Sequence, residues 1–405
     1  MNEEGAIDQV GLRLAAARKR AGLTQEQLGE ALDLDKTQVS KIERGHRRLD
    51  ISEVAAAAGR LGTTTRALLG MGERSKLALA ARLATDAPEG AFKRAQTRAR
   101  QIVEVDDVLS EICGLTPSLS RESIEDLSGF GRRLAEQGKT SDRAIREQGR
   151  LLADETRRLL DLGSGALGDL PDLIETYFGV DVALSPLGTD ADGLCVHADD
   201  VRLILASSDF TSGHVRFTLA HELGHHLFGD PRDIIGEDHA AMFAKTATER
   251  RANAFAANFL MPEKGIRAFL DFRSEVSPVS PSGIVQLIVN FQVSLQAMSY
   301  RLQELGLLPA KDAEAIRDRP VKDLVRTYAD NHAAQLATQV ASNVRPPTRL
   351  LQAARTGFAQ RQIGLGPIAS LLERMDDAAL FDELMNMPEI ARALKVSIAS
   401  DELVV

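Results

Sequence analysis

His221 and His225 stand four positions apart in the run Arg216-Phe217-Thr218-Leu219-Ala220-His221-Glu222-Leu223-Gly224-His225-His226. On an α-helix that spacing projects both imidazoles from one face on successive turns, where they can share a divalent metal. Glu222, beside the first histidine, can reach water at the metal without binding the metal itself. A zinc ion held by three protein ligands keeps one position open for water and lowers its pKa to about 7. The neighbouring carboxylate can then take the proton and pass it to a leaving amine.

The third ligand is expected from a later helix. Glu249, 24 residues after His225, opens a helical pattern that runs to Leu260-Met261-Pro262, and Ala252 and Ala256 on it are small enough for close packing on the first helix. His226, His239 and His214 compete for the role. His226 is five residues past His221, a rotation of about 500°, which turns it off the His221/His225 face. His239 lies in a Gly-Glu-Asp-His loop, and His214, just before the helix, is placed to donate to a substrate carbonyl.

A second chemistry is written near the N-terminus. Thr24 reads as an N-cap with Gln27 as its capping-box partner, and a second helix from Lys36 to Arg44 follows the short link Asp33-Leu34-Asp35 and stops at Gly45. Ala31, Val39 and Ile42 can pack the two helices together, while Lys36, Thr37, Gln38 and Lys41 carry donors and acceptors suited to base edges and phosphates. The 405 residues hold 49 Lys and Arg against 58 Asp and Glu, yet residues 13–48 hold nine basic side chains against five acidic ones. A basic module on an acidic body is the footprint of a chain in which only the module touches a polyanion.

The elements that must position these groups read as α+β and predominantly helical. An N-terminal five-helix domain over 8–70 is followed by a helical connector over 73–141. A metal-binding domain over 142–308 contains a small antiparallel sheet, and a helical region of unassigned role covers 309–405. The sheet is expected from Val180–Leu184, Leu194–His197 and Val201–Ala206, the last taken as an edge able to bind an extended substrate by strand addition. Length alone points to two to four domains. Apolar residues at 44% and charged residues at 26% exclude a disordered or membrane-embedded chain, and no apolar run reaches the ~18–20 residues of a membrane span. The acidic start lacks the features of a secretory leader. Cys113 and Cys195 are the two cysteines and form no CxxC pair, so a disulfide framework and a cysteine zinc site are excluded. A cytoplasmic location is expected.

Residues Leu12 to Leu69 resemble the helix-turn-helix of the Cro/C1, or Xre, type, on the strength of Leu23-Thr24-Gln25-Glu26-Gln27-Leu28-Gly29, Val39-Ser40-Lys41-Ile42-Glu43-Arg44-Gly45 and the trailing Leu49. The resemblance implies a phosphate anchor at Gln25, major-groove contacts from Lys36, Thr37, Gln38 and Lys41, and a homodimer on a two-fold duplex operator. Residues from about 145 to 308 resemble the ImmA/IrrE metallo-endopeptidases, whose core is related to the zincins. The marks are the 216–225 run, Glu249-x-x-Ala252-Asn253-x-Phe255-Ala256, Leu260-Met261-Pro262, Phe291-Gln292-Val293-Ser294, Arg301-Leu302 and Leu305-Gly306-Leu307-Leu308. That resemblance implies zinc on His221, His225 and Glu249, with Glu222 as general base. Arg251 stands where members often carry a second acidic residue.

Members of the second family typically cleave a helix-turn-helix repressor. The fusion is therefore expected to be a transcriptional regulator whose peptidase cuts a partner repressor or its own chain. The alternative is a non-catalytic zinc-binding transcription factor or antitoxin that uses the same domain as a sensor.

Overall fold

The computed structural model describes residues 3–32, 34–47, 49, 51–61, 68, 91–116, 122–138, 141–188, 192–198, 201–230, 246–274, 279–329, 335, 338–341, 343–374 and 377–392. The N-terminal domain contributes α1 (Glu3–Arg20), α2 (Gln25–Leu32), α3 (Lys36–Glu43) and α4 (Ile51–Leu61). Both helices of the hairpin begin with a reciprocal cap. Thr24 and Gln27 exchange side-chain and backbone hydrogen bonds at α2, and Asp35 and Gln38 do the same at α3. Gly45, at φ +76°, ends α3 as the sequence requires. The expected fifth helix falls mostly outside the described residues.

The strands β1 (Asp181–Ser185), β2 (Gly193–Ala198) and β3 (Val201–Ser207) form one sheet in the order β1-β3-β2. β2 and β3 are an antiparallel hairpin, but β1 runs parallel to β3, so the sheet is mixed and not purely antiparallel. Two consequences correct the sequence reading. Val201–Ala206 is the central strand and offers no edge, because both of its sides are already paired. The outer side of β1 is covered as well, where Leu184 and Arg345 exchange backbone hydrogen bonds at 2.8 and 2.9 Å. Among the described residues β2 is the edge strand.

Side chains of the sheet alternate between two cores with the period of two that a strand imposes. Val182, Cys195, Ile204 and Ala206 face one cluster, while Ala183, Leu194, Val196, Leu203 and Leu205 face the other. Burial on both faces explains why the strands read as nearly unbroken apolar runs. The first cluster is built from α6 (Glu122–Glu136), α7 (Asp142–Leu159), α8 (Leu170–Phe178), α9 (Ser212–Phe228) and α10 (Ala247–Leu260). It continues through α11 (Glu263–Phe272), α12 (Pro281–Phe291), α13 (Leu295–Glu304), α14 (Ala310–Arg317) and α15 (Val321–Tyr328). The second gathers α5 (Ala91–Ile112), α16 (Thr348–Ala359), α17 (Gly366–Leu372), α18 (Asp377–Met385) and the buried residues of the N-terminal domain.

Within the segment 73–141, the described helices pack on the rest of the chain: α5 lies behind the sheet and α6 packs on α9. The C-terminal region is likewise divided. α14 and α15 join the first core, and α16 and α17 pack with α5 across the back of the sheet. Arginines fasten these layers. Arg98 donates to Ser370 O, Leu371 O and Ser185 Oγ, and Arg349 reaches both Asp181 and Asp106.

Candidate metal centre

Two helices carry the candidate metal-binding side chains, and small residues let them meet. A Cβ on Gly224 of α9 would lie 2.9 Å from the Phe255 ring of α10, and a Cβ on Gly149 of α7 would lie 2.4 Å from Arg251 O. Three helices therefore pack at near-backbone distance, with Phe255 and Phe259 fully buried between them. Each such ring contributes about 1.5–3 kcal/mol of burial. Arg157 and Arg216 secure the irregular segment between α7 and α8: Arg157 donates to the carbonyls of Phe259, Gly163 and Gly165, and Arg216 to those of Leu167 and Gly168. Burial pushes both guanidinium groups down to about 10, so they remain charged at neutral pH.

The structure brings His221, His225 and Glu249 together. His221 Nε2 and His225 Nε2 are 3.0 Å apart, and the Glu249 carboxylate oxygens lie 3.2 and 3.3 Å from them. All three residues are buried, and their ligand atoms fall within 4.8 Å of one another. The outer ring nitrogens decide what the centre can hold. His221 Nδ1 faces Asn253 Oδ1 at 2.9 Å, and His225 Nδ1 faces Asp230 Oδ2 at 2.8 Å. Both partners are acceptors, so each ring carries its proton on Nδ1 and turns a bare Nε2 lone pair inward. Two lone pairs and a carboxylate then converge on one point, an arrangement that repels itself and that a divalent cation relieves at all three atoms.

Glu222 is 6% exposed on α9, next to the first histidine. His226 is half-buried outside the cluster, and His239 lies outside the described residues. His214 stands two turns before His221, stacked on Phe210 and 3.3 Å from Asp192. Sequence reasoning missed Asn253, Asp230 and Arg251 as supports. Asn253 is four residues after Glu249 and so shares its face of α10, a signal that was available. Asp230 directly follows the left-handed Gly229 that ends α9, and Arg251 pairs with its second oxygen while lying over the Phe228 ring.

In the N-terminal domain Lys36, Thr37 and Lys41 are exposed on α3, and Gln38 is half-buried with its carbonyl in the Asp35 cap. Gln25 commits one amide proton to Glu43 Oε2 at 2.7 Å, and Arg18 binds the same carboxylate. Only the second amide proton of Gln25 is left for a phosphate.

Comparison with known proteins finds matches for two segments of the chain. Residues 14–68 match the helix-turn-helix family, and residues 175–303 match the IrrE N-terminal-like domain. The radiation response metalloprotease IrrE of Deinococcus radiodurans is 29% identical over 189 residues, which span 44% of this chain and 55% of that protein. Among solved structures, the apo form of the competence regulator ComR from Streptococcus vestibularis aligns at 13% identity with a TM-score of 0.16, covering 82% of this chain and 96% of that one. Apo ComR from S. thermophilus aligns at 13% identity and a TM-score of 0.16, with 79% and 94% covered.

Proposed function

Since the chain joins a helix-turn-helix domain to a metallopeptidase-type domain, we propose that it is a DNA-binding transcriptional regulator with a zinc-dependent endopeptidase. Its substrate is a partner helix-turn-helix repressor or its own chain, and cutting relieves repression. The observation that carries the reading is the inward turn of two Nδ1-protonated histidines and a buried carboxylate onto one point. His221, His225 and Glu249 would hold the ion, and Asn253 and Asp230 orient the two rings. Zinc, when bound there, supplies Lewis acidity that makes water a nucleophile near neutral pH. Glu222, buried beside His221, would take a proton from the attacking water and return it to the leaving amine as the C–N bond breaks.

The β2 edge, in place of Val201–Ala206, is the strand open to an extended substrate. Lys36, Thr37, Gln38 and Lys41 of α3 would read the major groove of a duplex operator as part of a homodimer. Among the described residues no helix is long and apolar enough to cross a membrane.

The test is to incubate the zinc-loaded full chain with a proteome-derived peptide mixture, and separately alone, and to read new termini by mass spectrometry. Wild type should create termini that Glu222→Gln does not. Zinc bound without any cleavage would replace the peptidase by a non-catalytic sensor.

A further inference from the structure

Positions 94, 97, 98 and 101 of α5 fall on one face of that helix. Arg94, Thr97, Arg98 and Gln101 all line a cavity of about 410 Å³ beyond the end of β1. Its other walls include Pro186 and Leu187, which follow β1, and Glu373, which follows α17. None of these residues belongs to the candidate metal centre or to α3. The volume is within the range of cavities that hold small ligands. Because α17 also packs on α4, the cavity lies between the sheet and a helix on which the N-terminal domain rests.

Arg98 is buried, and besides its bonds to Ser370 O, Leu371 O and Ser185 Oγ it meets Glu373 Oε1 at 3.0 Å from Nε. Glu373 holds left-handed backbone, φ +54°, at the end of a helix, where glycine is the usual residue. A glutamate kept in that disfavoured conformation gains the pairing of its side chain with Arg98. Arg94 differs. Its guanidinium lies over Gly188, where a Cβ would come 3.5 Å from Nη1. Both Arg94 and Gln101 are exposed, and among the described residues neither has a hydrogen-bond or ion-pair partner. Among the described residues that line the cavity, Glu373 is the one acid, so two guanidinium groups face one carboxylate.

We propose that this cavity binds the phosphate group of a small phosphorylated compound, with Glu373 as an internal stand-in that the ligand displaces. Charge selects phosphate over carboxylate. A carboxylate would replace Glu373 one for one and leave Arg94 unmatched, whereas a phosphate dianion balances both guanidinium groups. The forks of Arg94 and Arg98, the Thr97 hydroxyl and the Gln101 amide supply donors for its oxygens. Pro186 and Leu187 give the body of the ligand an apolar wall. The Glu373 side chain is already 27% exposed, so on displacement it turns to solvent.

The experiment is a calorimetric titration of the zinc-loaded full-length protein with phenyl phosphate, benzoate and phenol at constant ionic strength. Phenyl phosphate should bind saturably, benzoate about tenfold more weakly and phenol not at all. Arg94→Ala should weaken phenyl phosphate by about tenfold to a hundredfold. Arg94 is exposed, so zinc content and melting temperature should not change. Glu373→Gln should tighten binding by about threefold to tenfold, because the internal competitor is gone. A purely structural Arg98–Glu373 pair predicts no gain in affinity for Glu373→Gln, and that result overturns the proposal. Absence of saturable binding in both wild type and Glu373→Gln does the same. Binding that both substitutions leave unchanged would place the phosphate at the metal centre or on α3, and benzoate matching phenyl phosphate would remove the selection for a dianion; either outcome also overturns it.

Discussion

Asp230 Oδ2 lies 2.8 Å from His225 Nδ1, and the other oxygen of the same carboxylate is taken by Arg251. Through this link a residue beyond the end of α9 sets the orientation and tautomer of a candidate ligand. Asp230→Ala should lower zinc affinity by about 10–100-fold, and Asp230→Asn, which keeps an acceptor, should restore much of it. Competition with a chromogenic chelator measures both. Wild-type affinity in Asp230→Ala would remove Asp230 from the centre.

Zinc stoichiometry separates ligand from base. Elemental analysis after dialysis should find about one zinc per chain in wild type and in Glu222→Gln, and close to none in Glu249→Ala, because two histidines alone leave the ion under-coordinated. Retention of zinc by Glu249→Ala would move the third ligand elsewhere.

DNA binding should carry the signature of phosphate neutralisation. With a duplex operator selected from random sequence, Lys36→Ala combined with Lys41→Ala should weaken binding and reduce the slope of log affinity against log salt by about one for each phosphate that the protein no longer neutralises. An unchanged slope and affinity would take α3 out of the interface.

Acid should loosen the N-terminal domain through Glu43. Burial would raise its pKa, but the hydrogen bonds from Arg18 and Gln25 and the Arg18 charge hold it below the usual carboxylate range. With the folded value below the unfolded one of about 4.3, its stabilisation is complete above that pH and is lost as pH falls through the lower folded value. Glu43→Gln should cost about 1–3 kcal/mol near neutral pH, and calorimetry should show the gap to wild type closing in acid. A gap that stays constant from pH 7 to acid would contradict the ion pair.

Local order in the chain made much of this protein legible. His221, His225 and Glu222 are set by the i and i+4 geometry of one helix, and the capping box Thr24/Gln27 and the stop at Gly45 are likewise decided within a few residues. Three short apolar runs announced the strands, since a strand buried on both faces must be apolar throughout. Glu249 was reachable because α10 carries it beside small residues that only make sense where two helices approach closely.

What the tertiary structure alone decided are relations between segments distant in sequence. That β1 joins β3 in parallel, placing Val201–Ala206 in the middle of the sheet, depends on a crossover and not on strand propensity. That α5, read as a connector, forms a layer with α16 and α17 follows from an apolar face whose partner lies more than two hundred residues away. Asp230 looks like an ordinary polar residue until the ring it orients is packed against it. Periodicity specifies which face of an element must be covered; it carries no record of which other face covers it, because burial is non-directional and many apolar faces would serve.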